Sequence, residues 1–386
     1  MTGTAALKLG VSLHSFTSEY ISYKWSLEDL FQLASVLGGG LEIVGPAHQR
    51  GYPYLTDEYE RLFKSSIERW GLTPTSYGTY ADPFMLKDRD LNAGELVDYI
   101  VPQLTSAAQL GFTIARLQYF SYSVIERLLP WAEKLNLKLG YELHVPLMIK
   151  SARTQGLIEQ IERINSPFLG LIPDTGIFAH SIPEFRLNAT RAAGVSEELV
   201  ERAITLWNAK TPDHVALEEL LKLGLRRENI ANIEMIWGSF GQSEPEELKT
   251  ILPYVIHMHG KFFSMRNGEE PNVRFEEVVK VLVENGYDGW ISSEYEGQGG
   301  LDTFGLVREQ QAMIRRYAEV CAEIAGACNQ PQWISRSSLN MQRHAPVLRR
   351  AEGRGLAHRG FESACAGDKE VLPGQAALVN HSQSIL

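Results

Sequence analysis

The sequence predicts an α/β fold of one kind, a (β/α)₈ TIM barrel with a helical insertion between strands six and seven. Three observations predict it. Short apolar runs alternate with amphipathic helical stretches, and that alternation implies parallel strands joined by helices. Eight such units are present, and eight close into a barrel rather than an open sheet. The runs are apolar at most positions, as expected of strands buried on both faces. A doubly wound open sheet is the structural alternative, but no Gly-x-Gly-x-x-Gly follows the first strand to support it.

The strand-like runs fall at residues 8–13, 41–45, 73–78, 113–119, 137–143, 168–173, 255–259 and 290–294. Helical stretches lie between them at 27–37, 57–70, 94–110, 122–135, 149–164 and 274–285. Ser26 is placed to cap the first helix, with Asp29 in its first turn. Gly38 to Gly40, Gly71, Gly111 and Gly286 follow helices, where glycine suits the last turn. One connection is too long: about eighty residues separate Asp174 from Val255, where an ordinary βα unit takes roughly thirty. Within it, 195–209 and 217–223 read as helices. The stretch 177–250 is therefore expected to lie over the carboxyl-terminal mouth, where such loops shape substrate binding. The barrel, insertion included, is expected over residues 1–328, with a closing helix at 306–325. Residues 329–386 carry scattered Arg, Gly, Ser and Gln with weak periodicity, and read as a tail that is disordered or docked on the surface.

The chain has 386 residues, 44% of them apolar, which is ample for one large core. Its formal net charge of −10 opposes binding to a nucleic acid. Cys321, Cys328 and Cys365 form no Cys-x-x-Cys pair and no disulfide framework, which fits a reducing cytoplasm. The opening MTGTAALKLGVSLHSF has no basic segment followed by a long apolar one, so no signal peptide is expected. No run approaches the length of about 18 apolar residues that would suggest a membrane span. A cytoplasmic protein with no membrane partner is the expectation.

Four acidic or imidazole side chains fall at the carboxyl ends of the last four strands: Glu142 in KLGYELHVP, Asp174 in LGLIPDTG, His259 in VIHMHGKF and Glu294 in WISSEYEG. Catalytic groups gather at that end of this fold. Neighbouring strands are about 5 Å apart, so the four can converge on one point. A single Glu at a strand end is often merely solvated, and a strand His is usually a hydrogen-bonded core residue. The joint pattern carries more weight, because four such groups near a barrel core are expensive to leave uncompensated. Three carboxylates and an imidazole form a hard, oxygen-rich set that suits Mn²⁺, Mg²⁺ or Co²⁺.

Side chains two apart on a strand share a face. His144 therefore projects beside Glu142 toward the open mouth and is the preferred general base. His257 lies one layer deeper and can serve as a base or as a support for His259. Lys261 follows His259 at the same spacing and could hold an oxyanion, although most loop lysines are simply exposed. Glu296 continues the Ser292, Glu294 alternation and is a candidate for binding a substrate hydroxyl, as are His14 at the end of strand one and Tyr77 and Tyr80 at the end of strand three. Aromatics there are as often packing.

The set Glu142, Asp174, His259 and Glu294 resembles that of the xylose-isomerase-like superfamily of sugar isomerases and epimerases. The resemblance covers residues 8 to about 320 in order and spacing, through PDTG, HMHGKF and SSEYEG. Two departures matter. The family's DxxH has Ile177 at its fourth position here, which removes a further His and argues against the endonuclease IV branch. The family's HxHxKD ends here in Phe262, so polar support for His259 must come from elsewhere. Within the superfamily, GVSLHSFTSEY, WSLEDL, LEIVG, TSYGTYADP and SSEYEG look most like the α subunit of bacterial C-glycoside deglycosidases.

That resemblance implies an enzyme of the Mn²⁺ type, paired with a small β subunit, that cleaves the carbon–carbon bond between a 3-oxo-sugar and a flavonoid-type aglycone. His144 would take the C2 proton, the metal would act as a Lewis acid on the C3 ketone, and the C1–aryl bond would break by β-elimination. The alternative is a keto-sugar isomerase or epimerase that returns the proton through an enediolate. A barrel that binds a sugar without turnover is a third reading, and it would be insensitive to chelation. None of these needs NAD.

Overall fold

The computed structural model describes residues 7–328. Its strands are β1 (Lys8–Ser12), β2 (Gly40–Val44), β3 (Thr73–Gly78), β4 (Ile114–Leu117), β5 (Lys138–Leu143), β6 (Leu169–Pro173), β7 (Met258–Phe262) and β8 (Trp290–Tyr295). All are parallel, and they pair in the order β6-β5-β4-β3-β2-β1-β8-β7. Single bridges Leu171 to Val255 and Asp174 to His259 join β6 to the β7 side. Eight parallel strands in a nearly closed ring, wrapped by helices, make a (β/α)₈ barrel.

Period-two alternation sorts the strand residues. Leu9, Val11, Leu41, Ile43, Leu139 and Tyr141 are buried toward the helices. The alternate positions face the barrel interior, and on its floor several are glycine. A Cβ on Gly140 would lie 2.4 Å from Ile172 Cδ1, and one on Gly170 would lie 2.5 Å from Ile256 Cγ2. The missing side chains make room for two isoleucines that plug the floor, as a packed barrel requires. Above that plug the inward positions are charged.

The helices begin and end for local reasons. Ser26 accepts the Asp29 N–H while the Asp29 carboxylate accepts the Ser26 N–H, a complete capping box on the helix Leu27–Val36. Thr56 caps the helix Asp57–Trp70, which ends at Gly71 in the left-handed conformation, φ 61°. The strand expected at 255–259 starts three residues later, at Met258. Val255 and Ile256 touch β6 through one bridge and the Ile256 N–H to Leu171 carbonyl bond, and the ladder to β8 begins only at Met258. His259 therefore sits within its strand rather than at its end.

Between β6 and β7 the long connection folds into helices Glu184–Ala192, Glu197–Asn208, Asp213–Lys222 and Ile230–Ser239. Two of the four were expected. They share buried Val200, Ala203, Trp207, Ile233 and Ile236, and Trp207 Nε1 donates to the Phe240 carbonyl at 3.2 Å. A final helix, Thr303–Cys328, closes the described part. The tail expected at 329–386 lies outside the described residues. No described helix is long and apolar enough to cross a membrane.

Candidate metal centre

Strands β5, β7 and β8 and the residue after β6 deliver Glu142, His259, Glu294 and Asp174, whose candidate ligand atoms all lie within 4.8 Å of one another. His259 Nδ1 is 3.0 Å from Glu142 Oε1 and 3.2 Å from Glu294 Oε2. Asp174 uses Oδ1 to accept the Gly176 N–H at 2.7 Å, which turns Oδ2 toward the cluster. Asp174, His259 and Glu294 are buried, and Glu142 opens partly to solvent. Burial pushes the Asp174 carboxyl up; Lys261 offsets this in part, and Glu294 and Glu142 add to it.

The residues fit a divalent cation. His259 Nδ1 and Asp174 Oδ2 are buried without a well-aligned hydrogen bond, although the carboxylates of Glu142 and Glu294 come within 3.2 Å of Nδ1 and Lys261 Nζ approaches Asp174 Oδ2 to 2.8 Å. Orphaned buried polar atoms are costly. Five carboxylates crowd this interior, including Glu42 and Glu296, against the two permanent cations Arg116 and Lys261. Three carboxylate oxygens and one imidazole nitrogen form a hard donor set suited to an ion such as Mn²⁺ or Mg²⁺. A bound ion would supply both the missing partner for Nδ1 and the missing positive charge.

A second charged layer lies just below. Glu42 on β2 is fully buried and accepts a hydrogen bond from Ser12 at 3.1 Å. Its other oxygen is 2.9 Å from His259 Nε2 and 3.4 Å from His257 Nε2. Arg116 on β4 reaches both layers, with Nε 3.7 Å from Glu42 and Nη1 2.7 Å from Glu142. Burial opposes charge on Glu42, but His259, His257 and Arg116 outweigh it and hold the carboxyl well below its usual range. The carboxylate can only accept, so the proton of a neutral His259 sits on Nε2 and leaves the Nδ1 lone pair facing the cluster. Glu42, His257 and His259 also bring ligand atoms together, but that group is sealed from solvent and Glu42 already meets Arg116. The upper group opens to the mouth.

Glu42 and Arg116 were not among the residues singled out from the sequence. A signal existed. Each is a charged residue inside a short apolar run, LEIV and IARL, and each falls on the inward side of its strand. Glu42 supplies the support for His259 that Phe262 cannot. Phe262 faces the helices and packs against Tyr295 with ring centroids 5.2 Å apart.

The other singled-out residues divide into three groups. At the rim, Lys261 Nζ lies 3.1 Å from Glu296 Oε1, and His14 Nε2 lies 3.5 Å from the same oxygen. Lys261 is a buried strand residue rather than a loop lysine. Burial works against its charge, but Asp174, Glu296 and Glu294 outweigh that and raise its pKa. Burial raises the Glu296 carboxyl, but Lys261 and His14 outweigh it and depress its pKa. His14 is raised on balance, because burial is outweighed by Glu296 and Glu294. His144, half-buried, places Nδ1 2.8 Å from the Val145 carbonyl. A carbonyl only accepts, so Nδ1 carries the hydrogen and Nε2 is the free basic atom. The ring lies close enough to Glu142, Asp174 and Glu296 to interact electrostatically with their carboxylates.

Below the mouth, His257 is fully buried, with Nε2 3.0 Å from Ser292 Oγ, and burial lowers its pKa. It sits under the ligand layer and supports Glu42; it is not placed to meet substrate. Tyr77 requires a correction. Ser76 and Gly78 take the inward side of β3, so Tyr77 points outward. It is fully buried, its hydroxyl donates to Gln49 Oε1 at 2.7 Å, and its ring meets Phe112 at 5.7 Å. It is a packing residue. Tyr80 is half-buried on the loop after β3, its backbone clamped by Gln103. A cavity of about 530 Å³ lined by Lys138, Val255 and Tyr287 opens at the amino ends of the strands, remote from this cluster.

The barrel agrees with the comparisons. The family model for xylose isomerase-like TIM barrels matches residues 31–317. The chain belongs to that family. It is 36% identical over 345 residues to the 3'-dehydrocarminate deglycosidase alpha subunit of a Microbacterium species, covering 84% of this chain and 99% of the relative. It is also 36% identical over 339 residues to the C-glycoside deglycosidase alpha subunit of Microbacterium trichothecenolyticum, covering 83% and 92%. Among solved structures, L-ribulose 3-epimerase superposes with a TM-score of 0.51 at 14% identity, over 84% of this chain and 99% of that one, which shows the shared fold. Family and relatives together make this chain an enzyme.

Proposed function

We propose that this chain is the metal-binding α subunit of an enzyme that cleaves the C1–aryl bond of 3-oxo-C-glycosides. The observation that carries the reading is a mouth-facing cluster of three carboxylates and His259 Nδ1 with the free Nε2 of His144 beside it. The 36% identity to two deglycosidase α subunits supports the choice of reaction. An ion at the cluster, Mn²⁺ on this reading, supplies a Lewis acid for a ketone oxygen.

The chain's own groups do the rest. His144 Nε2 accepts the C2 proton of the sugar, and the Val145 carbonyl stabilises the resulting positive ring through Nδ1–H. The electron pair of the C2–H bond becomes the C1–C2 double bond. The C1–aryl pair leaves with the aryl carbon, which takes up a proton or passes through the tautomer of its phenol. Atoms and electrons balance without an external oxidant. Lys261 and Glu296, held together at 3.1 Å, present a cation and an acceptor to the sugar hydroxyls, and His14 fixes Glu296 from the other side.

The relatives are named alpha subunits, and the proposed enzyme takes a small β subunit as its partner. The test is to incubate the co-purified complex with a 3-oxo-C-glucoside, with Mn²⁺ or with EDTA, and to follow free aglycone by chromatography. Metal-dependent release is expected. Absence of release together with metal-dependent exchange of a ketose α-proton into D₂O would overturn it in favour of an isomerase or epimerase.

A further inference from the structure

Most large apolar side chains of a barrel enzyme are inside it. Here a group is not. Phe84 is 61% exposed, Tyr119 48% and Phe120 36%. They come from two loops, after β3 and after β4, both at the end of the barrel that carries the metal ligands. Their rings contact one another edge to face: Phe84 to Phe120 at 5.5 Å and Phe120 to Tyr119 at 5.8 Å. Adjacent aromatic rings exposed side by side form an apolar shelf, and such a shelf marks a binding surface.

The shelf is continuous with the reaction site. Tyr119 meets Tyr122 at 5.6 Å. The Tyr122 hydroxyl donates at 2.7 Å to the backbone carbonyl of Glu142, a metal-cluster residue. The shelf therefore starts beside β5, the strand that carries Glu142 and is followed by His144, and runs outward along the β3–β4 side. It also carries a cation. The Arg153 guanidinium sits over the Tyr119 ring at 6.0 Å, with Nη1 3.3 Å from the Tyr119 hydroxyl. Aromatic rings favour offset or edge-on contact with another flat ring, and a guanidinium favours an ionised oxygen.

We infer that the shelf of Phe84, Tyr119 and Phe120, with Arg153 at its margin, is the subsite for the aglycone, a planar and acidic polyphenol. This rests on the proposed C-glycoside reaction. The sugar occupies the charged mouth between His14, Lys261 and His144, and the ring system attached to C1 lies along the shelf. The surface then fixes substrate choice without touching the proton that moves.

The test uses the co-purified complex and the double variant Phe84→Ala/Phe120→Ala, with two probes: a 3-oxo-C-glucoside of a flavone, and 3-oxo-glucose with no aglycone. The variant is expected to raise KM for aglycone release about tenfold with little change in kcat. Exchange of the C2 proton of 3-oxo-glucose into D₂O is expected to be unchanged, and the partner subunit to co-elute as before. Arg153→Gln is expected to raise KM severalfold for a flavone with an ionised phenol and to leave a methylated one unaffected. An unchanged KM in the double variant would overturn the subsite while leaving the reaction intact. Loss of the partner subunit from the variant would also overturn it and assign the shelf to the subunit contact. A native complex that releases no aglycone at all would instead remove the reaction on which the subsite rests.

Discussion

Strands β5 to β8 bring Glu142, Asp174, His259 and Glu294 to one point at the mouth, whereas β1 to β4 contribute one carboxylate, Glu42, and one guanidinium, Arg116, a layer lower. The first group is under-compensated: three carboxylates share one imidazole and the reach of Lys261 and Arg116. The second is closer to balance, with Glu42 beside Arg116, Ser12 and two imidazoles, although Arg116 Nε and His257 Nδ1 lack hydrogen-bond partners there. What separates the two groups is access and charge. The lower one is sealed, whereas the upper one opens to solvent at Glu142 and holds more carboxylates than cations. Uncompensated buried charge beside an opening is what a cation would bind.

That contrast can be broken by mutation. The largest effect is expected at the mouth. His144→Ala should keep the metal and lower turnover about 10²–10⁴-fold, the usual range for a positioned general base, as read by elemental analysis alongside aglycone release. If turnover survives, the base assignment is wrong. A smaller effect is expected one layer down. Glu42→Gln removes the charge that orients His259, and metal affinity should fall by about 10–100-fold, with kcat recovering at saturating metal. Titration with Mn²⁺ would show it, and an unchanged affinity would make Glu42 a mere partner of Arg116. The smallest effect lies outside the barrel interior. Tyr77→Phe leaves Gln49 short of a donor and should cost about 1 kcal/mol in denaturant unfolding, with KM for the sugar substrate unmoved. A raised KM would return Tyr77 to the site.

Much of the barrel was readable because the signals were local. Strand and helix runs alternate along the chain, and Ser26 and Gly71 mark helix ends by their own chemistry. The four cluster residues were readable because each interrupts or ends an apolar run at the same end of the barrel. Applied consistently, the period-two rule also separates Tyr77 from the mouth, since Ser76 and Gly78 take the inward side of β3. Glu42 was passed over because it lies within its strand rather than at the end, and its meaning depends on His259, more than two hundred residues away. Arg116 was passed over for the same reason. The start of β7 and the two further helices of the insertion depend on contacts with β6, β8 and Trp207, which no local pattern records.

On the proposed function, the ends of the last four strands hold one divalent ion. The most direct measurement is elemental analysis of the purified native chain and of Glu294→Gln after identical loading with Mn²⁺ and desalting. About one ion per native chain is expected, as a single-ion Lewis-acid site requires, and none in the variant, with the two proteins showing the same far-ultraviolet circular dichroism. An equal ion content in both would contradict it.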